Sequence, residues 1–148
     1  MKRTQGFALV KALLLAVLTA GLCTSLASAQ DYKGTFTLPF EARWGAATLS
    51  PGSYSFQLDA KAGGYTGLIR RGSHAVAMVI DNGQSTYKEG AGPSALIAVR
   101  SGGKYRITSL RLAEVRLVLN YFPPKGEREI LAQGPVLTRH VPILMAAR

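Results

Sequence analysis

The chain has little of what builds reactive or cross-linked sites. Its one cysteine, Cys23, in 148 residues excludes an intrachain disulfide framework and a cysteine-rich metal centre. The two histidines, His74 and His140, stand far apart and in neither the H-x-H nor the H-E-x-x-H spacing, so no metal site is expected from them. Acids are few: 8 Asp and Glu against 18 Lys and Arg, a net charge of +10. Glu127 and Glu129 flank Arg128 on one side of an expected strand. They read as a solvated face, not as the two carboxylates that glycoside hydrolysis sets across a cleft. Gly92-Pro93-Ser94 lacks the spacing of a G-x-S-x-G elbow. Gly103-Lys104 lacks both the earlier glycine and the following Ser or Thr of a phosphate-binding loop. Ser73, His74 or His140 and Asp81 supply the residue types of a triad, as almost any chain does. No catalytic residue, no cofactor and no nucleic-acid partner is expected. No period of 20–50 residues recurs, which excludes a solenoid.

What is present begins with an address. Lys2 and Arg3 are followed by the apolar run Ala12–Leu22 and by Ala27-Ser28-Ala29. This order of charge, short apolar helix and small side chains is that of a cleaved secretory signal peptide. Lys11 interrupts the longer stretch Phe7–Leu26, leaving too short a run to span a bilayer. Leu22 before Cys23 is not the small residue that precedes a lipidated cysteine. The expectation is a signal peptide over 1–29 and one domain over 30–148, exported to the periplasm or outside. That domain has 119 residues, no cysteine and a net charge of +7.

Period-two alternation dominates this domain. Phe36 and Leu38 alternate with Thr35 and Thr37, Phe40, Ala42 and Trp44 with Glu41 and Arg43, and Tyr54, Phe56 and Leu58 with Ser55, Gln57 and Asp59. Each run predicts a half-buried strand. Pro51-Gly52 reads as a type II turn. Residues 65–71 and 75–80 predict a hairpin joined at Gly72-Ser73. Ala75–Ile80 is apolar on both faces and is therefore expected as a central, doubly covered strand. Asp81–Pro93 reads as one long polar loop. Residues 94–100 and 105–112 predict a second hairpin across Gly102-Gly103. Residues 109–122 fit a helical stripe capped by Ser109 as well as a strand; the strand, after a break at Ala113-Glu114, agrees with its neighbours. Glu127–Ala132 and Val136–Leu144 complete the set. About eight to ten short strands predict an all-β, single-domain antiparallel β-sandwich or small β-barrel.

Phe36-Thr37-Leu38-Pro39-Phe40, Trp44-Gly45 and Leu49-Ser50-Pro51-Gly52-Ser53-Tyr54 together resemble a group of small exported proteins of Gram-negative soil bacteria. These carry a signal peptide, an F-x-x-P-F-like strand and an L-P-A-G-x-Y turn, here LSPGSY with proline one place later. The likeness covers residues 30–58. It implies a small β protein of the envelope or exterior, and the group has no assigned catalytic residues.

Two surface signals remain. Arg70, Arg71, Arg100, Lys104, Arg106, Arg111 and Arg116 fall within one stretch, interleaved with apolar residues. Neighbouring hairpins bring such side chains together, and arginine suits carboxylate and phosphate. Arg70, Arg71, Arg100, Lys104 and Arg106 are the candidate anion-binding set. The expected partners are an acidic polysaccharide, a lipid headgroup or an envelope protein; the alternative is that the charge serves solubility alone. Among the aromatics, Tyr87 with Lys88 stands out in the long polar loop. The resulting expectation is an exported, non-catalytic β module. Its alternatives are a calycin-like carrier of a small apolar ligand, with a mouth near residues 81–93, then a small secreted enzyme, and last an outer-membrane barrel.

Overall fold

Alternation becomes structure in the first strand. A computed structural model describes residues 31–123 and 136–147; the expected signal peptide and the strand expected over Glu127–Ala132 lie outside them. Strand β1 (Tyr32–Leu38) buries Tyr32, Phe36 and Leu38 and turns Lys33, Thr35 and Thr37 outward. Strands β2 (Ala42–Trp44), β3 (Ala47–Leu49) and β4 (Gly52–Lys61) follow, with Tyr54, Phe56 and Leu58 inward on β4. The first hairpin is β5 (Gly64–Arg71) and β6 (His74–Ile80). Then come β7 (Gly83–Thr86), β8 (Ala95–Ser101), β9 (Lys104–Leu112), β10 (Leu117–Asn120) and β11 (Leu137–Met145).

The described residues are almost entirely β, and the strands roll into a nearly closed barrel. The ladder order is β3-β2-β9-β8-β11-β1-β4-β5-β6, and β10 pairs β9 on one side and β7 on the other. The strand that leaves β5 as β6 bends at Asp81-Asn82 and continues as β7 against β10. This bend joins the two ends of the sheet in one half of the barrel; in the other half β3 comes alongside β6. The sheet is mixed, not purely antiparallel as expected, because β2 lies parallel to β9. A connection of a few residues cannot place β2 antiparallel there, since β2 must return from β1 over the barrel end.

One core fills the interior. Phe36 stacks on Tyr54 at 5.4 Å, and Trp44 meets Phe36 and Tyr121 edge-on at 6.0 and 5.3 Å. Leu58, Ile69, Leu96, Leu110, Leu112 and Leu119 close around them without solvent contact. Each such side chain contributes roughly 1.5–3 kcal/mol by burial. A bulge between β8 and β9 shifts the parity of β9 by one. Thus Ile107 and then Leu110 and Leu112 all point inward, a spacing that strict alternation does not allow. The break at Ala113-Glu114 is a single 3-10 turn, Ala113–Val115, followed by strand β10, which decides residues 109–122 in favour of strand.

Two further expectations are corrected. Ala75–Ile80 is not a central strand: β6 ends the ladder path and exposes Val76, Met78 and Ile80 at 41%, 68% and 66%. Apolar residues on both faces mark a covered strand only where something lies over the outer face. Asp81–Pro93 is not wholly loop, since Gly83–Thr86 pairs β10. Its polar side chains conceal the strand because β7 is exposed on nearly every residue.

Candidate functional site

Strand direction decides which charges meet. β1, β5 and β8 run towards one end of the barrel, and β4, β6, β9 and β11 run away from it. The Gly72-Ser73 and Gly102-Gly103 turns therefore share that end with the start of β11. They carry Arg70, Arg71, Arg100, Lys104, Arg106 and Arg139 to it, with Glu41 as the acid there among the described residues. All five candidate anion-binding residues lie at this end. They form two groups, on β5 and on the β8–β9 hairpin, separated by β11, β1 and β4, and not one continuous sheet face.

Local contacts hold several of these cations in place. Arg71 stands over the Tyr54 ring at 5.8 Å and its Nη2 donates to the Pro51 carbonyl at 3.3 Å. Arg100 lies over Tyr105 at 5.6 Å, and Tyr105 stacks on Phe40 at 3.9 Å, so this pair of rings supports the rim from below. Arg106 carries interactions of its own. Lys104 is exposed beside the turn. Arg70 is exposed, with neither a hydrogen bond nor an ion pair to another described residue.

Arg70 also walls a trough on the outer surface. Outward positions of β1 and β4 pair as Thr35 with Ser55 and Thr37 with Ser53, and Thr37 Oγ1 lies 3.1 Å from Ser53 Oγ. Two adjoining cavities of about 430 and 570 Å³ open over this hydroxyl floor. Lys33, Gln57 and Arg70 border the first, and Pro142 and Leu144 border the second. The trough escaped sequence reading because its floor is ordinary strand polarity. Only the pairing of β1 with β4 brings the four hydroxyls together. The signal available in the sequence was the outward Thr–Ser parity itself.

The opposite end is balanced, and it is here that Arg111 and Arg116 leave the expected basic face. Arg111 is buried and its Nε donates to the Pro93 carbonyl at 2.9 Å. Arg116 faces Glu89 at 3.8 Å. Ser94 donates to Glu114 and accepts the Ala113 N–H at 2.7 Å, which anchors the 3-10 turn. Tyr87 is also structural: its hydroxyl donates to the Gly92 carbonyl at 2.7 Å and closes the loop on itself, while Lys88 is exposed beside it. Asp81, Asp31 and Asp59 add acids at this end.

A tyrosine cluster marks the bend. Asp81 Oδ1 accepts the Tyr65 N–H at 2.6 Å. Burial raises the Tyr65 phenol above its ordinary 10.0, helped by Tyr32 and Asp81. Burial, with Asp81 second, raises Tyr121 further. Of the tyrosines and the tryptophan, Tyr32, Trp44, Tyr54 and Tyr121 pack inward and are buried. His74 and His140 sit on β6 and β11, which are not neighbours, and among the described residues no three His, Cys, Asp or Glu side chains gather as a metal site. No described helix is long and apolar enough to cross a membrane. No family model, curated protein or solved structure matches the chain.

Proposed function

We propose that this protein is an exported, non-catalytic binding module whose basic barrel end and adjoining hydroxyl trough hold an acidic polysaccharide. The observation that carries the reading is the gathering of Arg70, Arg71, Arg100, Lys104 and Arg139 at one end, with Arg70 open over Thr35 and Ser55. Guanidinium groups recognise carboxylate or sulfate, and a row of hydroxyls suits sugar hydroxyls in the same groove. Exposed stacking rings are scarce beside the trough, which favours a charged glycan over a neutral one. The signal-peptide pattern of residues 1–29 and the resemblance to small exported proteins supply the compartment in which such polymers are met.

The test is affinity electrophoresis and co-sedimentation of the purified protein with alginate, and with neutral dextran as control, at low and high salt. Binding to alginate that falls with salt, and falls again in Arg70→Glu/Arg71→Glu, is the expected result. Equal retention by dextran, or retention unchanged by the charge reversal, overturns it.

A calycin-like carrier is the second reading. It is favoured by the barrel shape and by Trp44 Nε1, a buried donor without a hydrogen-bond partner among the described residues. It ranks second because Phe36, Trp44, Phe56 and Leu58 already occupy interior positions.

A further inference from the structure

The outer face of β5 and β6 differs from that of β1 and β4. On β1 and β4 the outward positions are polar, as with Thr35, Thr37, Ser53, Ser55 and Gln57, and on β11 the exposed Leu137 and Leu144 stand seven residues apart. On β5 and β6 Leu68 pairs with Met78 and Thr66 with Ile80, and Met78 and Ile80 are two-thirds exposed. A bulge between Ile69 and Arg70 adds Val76 to the same stretch of β6. Aliphatic side chains that close together in water, on the strand ending the ladder path, mark an interaction surface.

The charges bordering the patch differ at its two ends. Towards the basic end lies Arg70, paired with Ser55 and Ala75. Towards the other end lies Asp59, paired with Thr66. Among the described residues Arg70 makes no ion pair, and Asp59 Oδ1 accepts the Gln57 amide at 3.1 Å. A face with a cation at one end, an acid at the other and aliphatic residues between is complementary to itself when turned end for end.

We infer that a second copy of this chain docks on this face, with the two β6 strands antiparallel about a twofold axis. In that arrangement Met78 meets Met78 of the second copy, Leu68 meets Leu68, and each Arg70 comes beside the Asp59 of the other. A parallel arrangement sets Arg70 beside Arg70 and is disfavoured by repulsion. The twofold operator is the common closed solution for a self-complementary patch. It leaves the Thr35 and Ser55 hydroxyls on the flank of each barrel but engages Arg70, which also borders the trough, so a second copy and an acidic polymer compete for that one guanidinium, while the apolar contact through Met78 lies outside the trough.

The experiment is light-scattering mass across a dilution series of the purified protein, compared with Met78→Glu and Asp59→Arg. The expected result is a dimer mass at high concentration. Both variants shift the dissociation constant upward by tenfold or more while keeping the far-ultraviolet circular dichroism and Tm of the parent. The charge-exchanged double variant Asp59→Arg/Arg70→Asp recovers the dimer. A protein that stays monomeric throughout overturns the inference, as does a dimer that Met78→Glu leaves intact. A monomer whose Met78 is nonetheless shielded from peroxide oxidation assigns the face to another segment of the same chain, and overturns it as well.

Discussion

Single residues carry more of this barrel than their chemistry suggests. Gly34 points inward between Tyr32 and Phe36, and a Cβ there would lie 2.7 Å from the Phe56 ring and 2.8 Å from the Leu144 carbonyl. The ring is locked in the core and the carbonyl belongs to β11, so neither yields easily. Gly34→Ala is expected to cost about 2–3 kcal/mol as an overpacked core, read as a fall in Tm. Gly52 differs: its φ of 151° lies where side chains are rarely found, although far from the angle of a type II turn. The neighbour a Cβ would meet, Arg71 Nη2 at 2.9 Å, can swing away. The cost of Gly52→Val is therefore conformational, about 1–3 kcal/mol. A variant melting with the parent removes the assignment of strain to this backbone.

At the scale of elements, the bend between β6 and β7 joins the sheet to itself. Asp81 offers its Oδ1 to the Tyr65 N–H, and its own N–H reaches the Tyr65 carbonyl at 3.2 Å. Asn82 N–H donates to the Asn120 carbonyl at 2.7 Å, and Asn82 Oδ1 accepts from Phe122 N–H at 3.1 Å. The strand thus changes partners with its backbone groups satisfied. Asp81→Ala leaves the Tyr65 amide without its acceptor and is expected to cost about 1–3 kcal/mol. Asp81→Asn keeps a carbonyl oxygen at that position and is expected to recover most of the loss in chemical denaturation. Equal loss in both variants would assign the effect to charge and not to the hydrogen bond.

At the scale of the molecule, pH and salt read out the two ends of the barrel separately. Tyr65 and Tyr121 hold their protons more tightly in the folded state than the ordinary phenol at 10.0. Above that value the unfolded chain releases protons that the folded one retains, so stability falls as pH rises. Tm is expected to be insensitive to these groups below about pH 10 and to decline above it. Tyr121→Phe flattens that decline, with phenolate absorbance appearing at lower pH only on unfolding. The acidic-polymer binding proposed for the other end is expected to follow ionic strength instead and to be unaffected by Tyr121→Phe. A variant that changes both readouts together would join the two ends into one site.

The half-buried strands, the turn at Gly72-Ser73, the break at Ala113-Glu114 and the all-β class were legible because they are local. Alternation has a period of two and needs no partner to be seen, and glycine marks a turn wherever it occurs. The candidate cations were legible as a list and not as a site. Arg106 and Arg111 are five residues apart on one strand, yet one belongs to the basic end and the other is buried against Pro93 at the opposite end. That separation comes from strand direction and from the bulge in β9, which are set by pairing with β8. The same holds for β6, whose apolar outer face looks like the mark of a central strand until its place at the end of the ladder path is known. Sequence by itself determined which residues alternate, where the chain turns and how much positive charge it carries. Tertiary structure decided which strands pair, which end each charge reaches and which apolar face stays in water, because these depend on contacts between residues far apart in the chain.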